Sequence, residues 1–250
     1  MTEIILSGCF GKMGRVITKS VLEREDCKIV AGVDIFEGQA DYPVFKSFDD
    51  VNIKADVIID FSNPAVLDSM LDFALKNNCA AVIATTGLSE AQIKRINEAS
   101  NDIPVFFSAN MSIGVSLITE LAKKAARVLG NDFDIEIVEA HHNQKIDAPS
   151  GTALMIADSI SEALESKPKY EFDRHSKREK RTADEIGIHS VRGGTIVGEH
   201  EVIFAGHDEV IKISHSARSK ELFAVGSINA AVFLNGKPNG MYSMKQLVEG

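Results

Sequence analysis

Glu3-Ile-Ile-Leu-Ser7 leads straight into Gly8-Cys-Phe-Gly-Lys-Met-Gly14, and Lys28-Ile-Val-Ala-Gly-Val-Asp34 follows one helix length later. The first segment is a short apolar run. Behind the glycines, Met13, Val16, Ile17, Val21 and Leu22 fall near the i, i+3, i+4 spacing of a helix with one buried stripe. Strand, glycine loop, helix, strand and terminal acid make one βαβ unit. Glycines at 8, 11 and 14, with an acid 20 residues after the last, match a dinucleotide-binding pattern in its proper context. The missing side chains let backbone N–H groups approach a pyrophosphate at a helix start. Asp34 would accept hydrogen bonds from ribose hydroxyls. The spacing departs from G-x-G-x-x-G, with Cys9 standing where the first glycine would be. A glycine turn without a ligand is the plain alternative.

The pattern repeats along the chain. Residues 56–61 are a continuous apolar strand of the kind buried on both faces. A helix over 65–77, a strand over 80–84, a helix opening at Ser89 and a strand over 103–107 follow. Ser89 is an N-cap candidate, with Glu90 in the first turn. Alternating strands and helices predict a doubly wound, Rossmann-like parallel sheet with its ligand at the strands' carboxyl ends. The loops at 8–14, 60–64, 84–87 and 108–112 leave such ends.

After a helix over 113–129 the period changes. Phe133, Ile135 and Ile137 alternate with Asp134 and Glu136, so one face is buried and the other exposed. If that strand continues, Glu139 and His141 share its apolar face and His142 points the other way. Residues 165–185 are polar and read as a long solvated loop. Strands over 186–191, 195–205 and 209–215 follow, with Arg192-Gly-Gly194 and Gly206-His-Asp208 as hairpin turns. The fold expected is α/β, a Rossmann-like sheet plus a second α+β domain with a mainly antiparallel four-stranded sheet. Its boundaries are 1–109 for the dinucleotide-binding domain and 110–217 for a substrate-binding and oligomerisation domain. Residues 218–250, with an apolar helix over 222–234, return to the first.

Composition excludes several classes. The chain has 250 residues, 44% hydrophobic and 25% charged, enough for two modest cores. A net charge of −9 argues against nucleic acid or an anionic membrane as partner. No signal peptide or membrane segment is read, and three scattered cysteines with no CxxC indicate a reducing cytoplasm.

The chemistry concentrates in Glu139-Ala-His-His-Asn-Gln-Lys-Ile-Asp-Ala-Pro-Ser-Gly-Thr-Ala153. Histidine is the usual general acid near neutral pH. His141, His142 and Lys145 offer protons and positive charge, while Ser150, Gly151 and Thr152 open a helix whose N–H groups suit a carboxylate. Asp147 would orient the loop or pair with Lys145. The bland readings are structural histidines and a mere helix cap. A metal site lacks a third ligand, so none is expected. His175, His189, His200, His207 and His215 lack clustered partners in the sequence and read as structural.

That stretch resembles the signature of the 4-hydroxy-tetrahydrodipicolinate (dihydrodipicolinate) reductase family. Gly8-Cys-Phe-Gly-Lys-Met-Gly14, Asp60-Phe-Ser62, Ala84-Thr-Thr-Gly87, Ala109-Asn110 with Ser112 and Gly114, Arg192, Val197-Gly-Glu-His200 and Gly240-Met-Tyr-Ser-Met244 fit the same family over nearly the full chain. The resemblance implies hydride transfer from NADH or NADPH to a cyclic unsaturated dicarboxylate in lysine and diaminopimelate biosynthesis. By matching position, His141 would be the proton donor and Lys145 a second donor and carboxylate contact. His142, Gly151 and Thr152 would bind substrate. Gly8, Cys9, Phe10, Gly11, Lys12, Met13, Gly14, Asp34, Ala84, Thr85, Thr86, Ser108, Ala109, Asn110 and Met111 would contact the cofactor. A homotetramer is implied, in keeping with the cytoplasm read from the cysteines. Because hydride and proton come from different domains, which must close to join them, hinges are expected near 109–112 and 216–219. Ala84 departs from the glycine common there. No arginine stands beside Asp34, so NADH should serve at least as well as NADPH, with Lys12 as a partial support for the latter. A related amino-acid dehydrogenase, or a non-catalytic nucleotide sensor, are the competing readings.

Overall fold

The computed structural model describes residues 1–108 and 110–249. They divide into two compact units, Met1–Ile113 with Glu221–Gly250, and Gly114–Lys220. The chain runs β1 (Thr2–Ser7), α1 (Lys12–Leu22), β2 (Cys27–Val33), β3 (Val44–Phe45), β4 (Val57–Asp60), α2 (Leu67–Asn77), β5 (Ala80–Ile83), α3 (Glu90–Ala99) and β6 (Pro104–Phe107). It continues through α4 (Ile113–Leu129), β7 (Asp134–His141), α5 (Gly151–Ser161), β8 (Lys169–Glu171), β9 (Glu185–Arg192), β10 (Gly198–Ala205) and β11 (Val210–Ala217). It ends with α6 (Glu221–Leu234), β12 (Gly240–Tyr242) and α7 (Met244–Glu249).

The first unit is a seven-stranded sheet in the order β12-β6-β5-β4-β1-β2-β3, all pairs parallel. Its strands are apolar throughout because each face has its own core. Ile4 and Leu6 of β1, with Val57 and Ile59 of β4, pack with α1 and α6. The intervening Ile5 and Ile58 pack with α2 and α3 on the other face. Period-two side chains thus fill two cores, and each fully buried isoleucine contributes roughly 1.5–3 kcal/mol. α6 is apolar on most faces and carries Ala224, Ile228, Ala231 and Leu234 into the first core. Ser89 caps α3 as expected, closing a box with Gln92.

The second unit holds a five-stranded sheet in the order β11-β10-β7-β9-β8. β10 pairs antiparallel with both β11 and β7, while β9 runs parallel to β7 and to β8. Two features differ from the sequence reading. The sheet is mixed and has a fifth strand, β8, cut from the stretch read as loop. The turn at Arg192–Gly194 does not join neighbours, because β7 lies between β9 and β10. A parallel β7–β9 pair needs a crossover, and α5 supplies it. Gly206 does close a hairpin, donating its N–H to the Glu209 carbonyl at 2.9 Å. Ion pairs between side chains hold part of the remaining polar stretch. Arg181 reaches Glu136 at 3.0 Å and Asp134 at 2.7 Å, and Arg174 bridges Glu136 and Glu185. One side of the sheet packs on α4 and α5, with Ile118 and Ala122 meeting Ile156, Ile160, Ile137 and Phe204. β7 alternates as predicted, and Glu139 and His141 fall on its buried side.

Candidate active site

In the first unit the glycine loop and the acid of β2 come together. Gly8 takes a left-handed backbone, φ +75°, and a Cβ there would meet the Phe61 carbonyl at 2.8 Å. A Cβ on Gly14 would lie 2.1 Å from the Gly8 carbonyl oxygen. The chain therefore turns tightly into α1, whose N-cap is Gly11. Asp34 is buried, and its two oxygens accept from the Phe10 N–H at 2.8 Å and the Phe36 N–H at 3.0 Å. A carboxylate has about four acceptor positions, so capacity for ribose hydroxyls remains. A cavity of about 310 Å³ opens beside it, lined by Gly8, Gly11, Asp34, Lys46 and Ser62. Ser7, on the same wall, is buried with its hydroxyl unpartnered. An aligned glycine cradle, an acid and a spare hydroxyl at the sheet's carboxyl edge fit a dinucleotide.

The other expected cofactor residues are placed unevenly. Lys12 is exposed at the first position of α1, and Met13 packs partly against the core. Cys9 is in the core, where burial foremost and the Asp34 charge push its thiol up to about 11. Ala84, Thr85 and Thr86 follow β5. The Thr85 hydroxyl donates to Asp60 at 2.6 Å, and Ser62 donates to the other Asp60 oxygen at 2.5 Å. Asp60 is fully buried, so the Thr85 bond ties the 84–87 loop to the end of β4. The Ser108 hydroxyl donates to the Asn110 carbonyl at 2.8 Å, and the Met111 side chain is in the core. Ala109 lies outside the described residues.

In the second unit, His141, His142, Lys145, Gly151 and Thr152 share one segment, from the end of β7 to the start of α5. Its backbone is docked on Arg192–Gly194: the Gly193 N–H donates to the His141 carbonyl at 2.9 Å and the Asn143 N–H to the Gly194 carbonyl at 3.2 Å. Lys145 pairs with Asp147 at 2.8 Å, which holds the Asp147 carboxyl below its usual range. Gly151 and Thr152 are the first residues of α5, and the Ser150 hydroxyl caps it by accepting from the Ala153 N–H at 3.2 Å. His141 is buried, with Nδ1 at 2.6 Å from Glu139 Oε2. Gly198 leaves room at its other nitrogen, since a Cβ there would stand 3.1 Å from Nε2.

Two of these partners, Glu139 and His200, had no role in the site assigned from the sequence. Glu139 is fully buried and accepts from both terminal nitrogens of Arg192, at 2.7 and 2.8 Å, and from the Ser150 N–H at 3.1 Å. Burial alone pushes its carboxyl up. The donors, led by Arg192 and then His141, outweigh that and bring it down to about 2. His200, read as structural, faces His141 edge-on with ring centroids 5.3 Å apart, and its Nε2 lies 3.0 Å from the Ser150 hydroxyl. Only the β7–β10 register, which sets His200 opposite Glu139, reveals this. Among the described residues no group of three or more His, Cys, Asp or Glu could hold a metal ion. No helix among them is long and apolar enough to cross a membrane.

His200 makes a pH prediction. Burial foremost, then His141, lowers its pKa from 6.5 to about 4. Between those values the unfolded chain binds a proton that the folded chain refuses, so stability falls as pH drops through that window. The full loss is about 3 kcal/mol. Glu139 acts lower, below its ordinary 4.5. His200→Gln should therefore flatten the fall in thermal midpoint between about pH 6.5 and pH 5. Parallel curves for the two proteins would refute it.

A Rossmann-like sheet with a glycine loop and a buried acid beside it, in one chain with a unit that carries a buried histidine near a helix start, is the build of a nucleotide-dependent oxidoreductase. The family models narrow this. Residues 2–111 match the dihydrodipicolinate reductase N-terminus and residues 114–248 its C-terminus. The chain belongs to the dihydrodipicolinate reductase family. It is 52% identical over 249 residues to a 4-hydroxy-tetrahydrodipicolinate reductase of Caldanaerobacter subterraneus subsp. tengcongensis, covering 100% of this chain and 99% of that one. It is 47% identical to the Clostridium novyi protein of the same name, covering 100% and 99%. A solved dipicolinate-bound dihydrodipicolinate reductase from Paenisporosarcina sp. TG-14 superposes with a TM-score of 0.81 at 28% identity, over 97% of each chain. A DAP dehydrogenase of C. glutamicum, at 15% identity, a TM-score of 0.58 and coverage of 99% and 95%, shares the fold.

Proposed function

We propose that this chain is an NAD(P)H-dependent reductase that converts 4-hydroxy-tetrahydrodipicolinate to tetrahydrodipicolinate in lysine and diaminopimelate biosynthesis. The observation that carries the reading is His141, buried and tied through Nδ1 to Glu139, on the segment that opens α5. The relatives' names, at up to 52% identity over their whole length, supply the substrate. When bound, the nicotinamide supplies the hydride. The 4-hydroxyl leaves as water and so gives a conjugated double bond. Hydride goes to one end of it and His141 delivers the proton to the other, so the product has lost the hydroxyl as water and gained one hydride and one proton. Lys145, three residues past the second histidine, adds positive charge for a substrate carboxylate and serves as a second donor. His142 and the first-turn N–H groups of Gly151 and Thr152 bind the carboxylate, where a helix start favours an anion. Gly8–Gly14 cradle the pyrophosphate and Asp34 holds the adenosine ribose. The chain works as a cytoplasmic homotetramer, which a native mass of four chains would support and a monomeric mass would contradict.

The test is the coupled assay, with substrate generated in situ from pyruvate and aspartate semialdehyde and run in parallel with NADH and NADPH. Oxidation of either cofactor is expected, and none with both would remove the proposal. Asp34 sets the ratio. A 2′-phosphate would face its carboxylate, so kcat/KM for NADH should equal or exceed that for NADPH. Lys12 and Lys46, the latter on the wall of the Asp34 cavity, limit the difference. A strong preference for NADPH would overturn the Asp34 assignment. An amino-acid dehydrogenase of the same fold would not require tight inhibition by pyridine-2,6-dicarboxylate, whereas this reading does.

A further inference from the structure

The Glu139 carboxylate is fully buried, and its partners among the described residues, the Ser190 side chain included, are donors. Oε2 accepts from His141 Nδ1 at 2.6 Å and Arg192 Nη1 at 2.8 Å; Oε1 accepts from Arg192 Nη2 at 2.7 Å and the Ser150 N–H at 3.1 Å. A salt bridge that merely stapled β7 to β9 would need Arg192 alone. Here one oxygen goes to the ring of His141 and the other to the N-cap residue of α5. Arg192 also donates to the Asp147 carbonyl at 2.6 Å, so the same guanidinium fixes the segment between them.

We propose that Glu139 is a positioning residue that registers the proton donor to the anion-binding start of α5 through its two oxygens. The proposal rests on the roles given to His141, Gly151 and Thr152 above. An ionised carboxylate can only accept, so His141 Nδ1 carries a hydrogen in either charge state. Nε2 is therefore the nitrogen that gains and loses the proton, and it is the one Gly198 leaves room for. Arg192 balances the carboxylate's charge, so the clamp is a net-neutral pair to which the imidazole is added. A buried carboxylate without such a partner would take up a proton and cease to orient anything. The Ser150 bond does the second task. It fixes the N-cap whose hydroxyl already holds Ala153, and so fixes where the first-turn N–H groups point.

Glu139→Gln tests this with little change in shape. All the partners donate, so the amide NH2 meets a donor whichever way it is turned. Expected are a kcat lowered by about 10²-fold or more, an NADH KM within about threefold of wild type, and a roughly tenfold weaker inhibition by pyridine-2,6-dicarboxylate. A folded Glu139→Gln with near-native kcat and inhibition overturns the proposal. If His141→Gln is inactive while Glu139→Gln is not, the clamp alone is wrong; if both retain full turnover, the His141 reading is wrong as well. Should Glu139→Gln fail to fold, the wild-type protein labelled with 15N-histidine decides. The resonance assigned to position 141 should show a protonated Nδ1, its 15N in the shielded N–H range and its attached hydrogen strongly deshielded. An unprotonated Nδ1 there overturns the proposal.

Discussion

His141→Gln should lower kcat by on the order of 10²–10⁴-fold, while the KM for NADH stays within about threefold of wild type. The split follows from where the side chain lies. His141 belongs to the second unit, and the residues assigned to the cofactor belong to the first. Glutamine retains a hydrogen-bonding head toward Glu139 and removes the titrating ring, so the fold has small reason to suffer. Lys145→Ala should show the same kind of loss in turnover, with a further rise in substrate KM because it also serves a carboxylate. Its ion pair with Asp147 is partly exposed and contributes little to stability. The two losses should combine to less than their product if both residues supply protons to one site. Steady-state assays of the two single variants and the double variant give the comparison. Full activity in both single variants would remove them from the proton chemistry.

The sequence made some of this visible and hid the rest for identifiable reasons. The first unit was legible because Ile4, Ile5 and Leu6, and again Val57, Ile58 and Ile59, are apolar at consecutive positions, which only a strand buried on both sides tolerates. Asp34 was legible because it ends a strand at a set distance from a glycine loop. The start of α5 was legible because Ser150 stands before an apolar stripe, as a capping residue does. The partners across the sheet were not. Glu139 was legible as an acid on the buried face of its strand, but nothing local says that Arg192, 53 residues later, will close on it. His200 is 50 residues from Ser150, and only the antiparallel register of β10 against β7 sets it there. The partners of the strands around Arg192–Gly194 were hidden for the same reason: glycines mark a turn but do not say which strand lies beside the next. β8 was hidden because three residues of mixed polarity carry no period.

Gly14→Ala is expected to weaken NADH binding by at least about tenfold and to destabilise the first unit by roughly 1–3 kcal/mol, more than any other single methyl added to the loop. The added Cβ would lie 2.1 Å from the Gly8 carbonyl oxygen and 2.7 Å from both the carbonyl carbon and the Cα of Cys9. All three are backbone atoms, so no rotamer change relieves the contact. The Gly8 carbonyl is held from the other side too, since it accepts from the Gly11 N–H at 3.0 Å. Gly8 itself sits at φ +75°, against the Phe61 carbonyl, and has no room to retreat. What must move is α1, which carries Ile17 and Val21 into the core and presents its N–H groups at the loop. Binding and stability should therefore fall together. Gly11→Ala supplies the internal control, because its Cβ would meet the Gly8 oxygen at 3.1 Å, a contact that a few tenths of an ångström relieves. NADH fluorescence titration and thermal denaturation should rank wild type first, Gly11→Ala second and Gly14→Ala last. Equal affinity and equal melting of the two variants would mean that the loop yields where the backbone contacts say it cannot, and the cradle at the head of α1 would lose its structural basis.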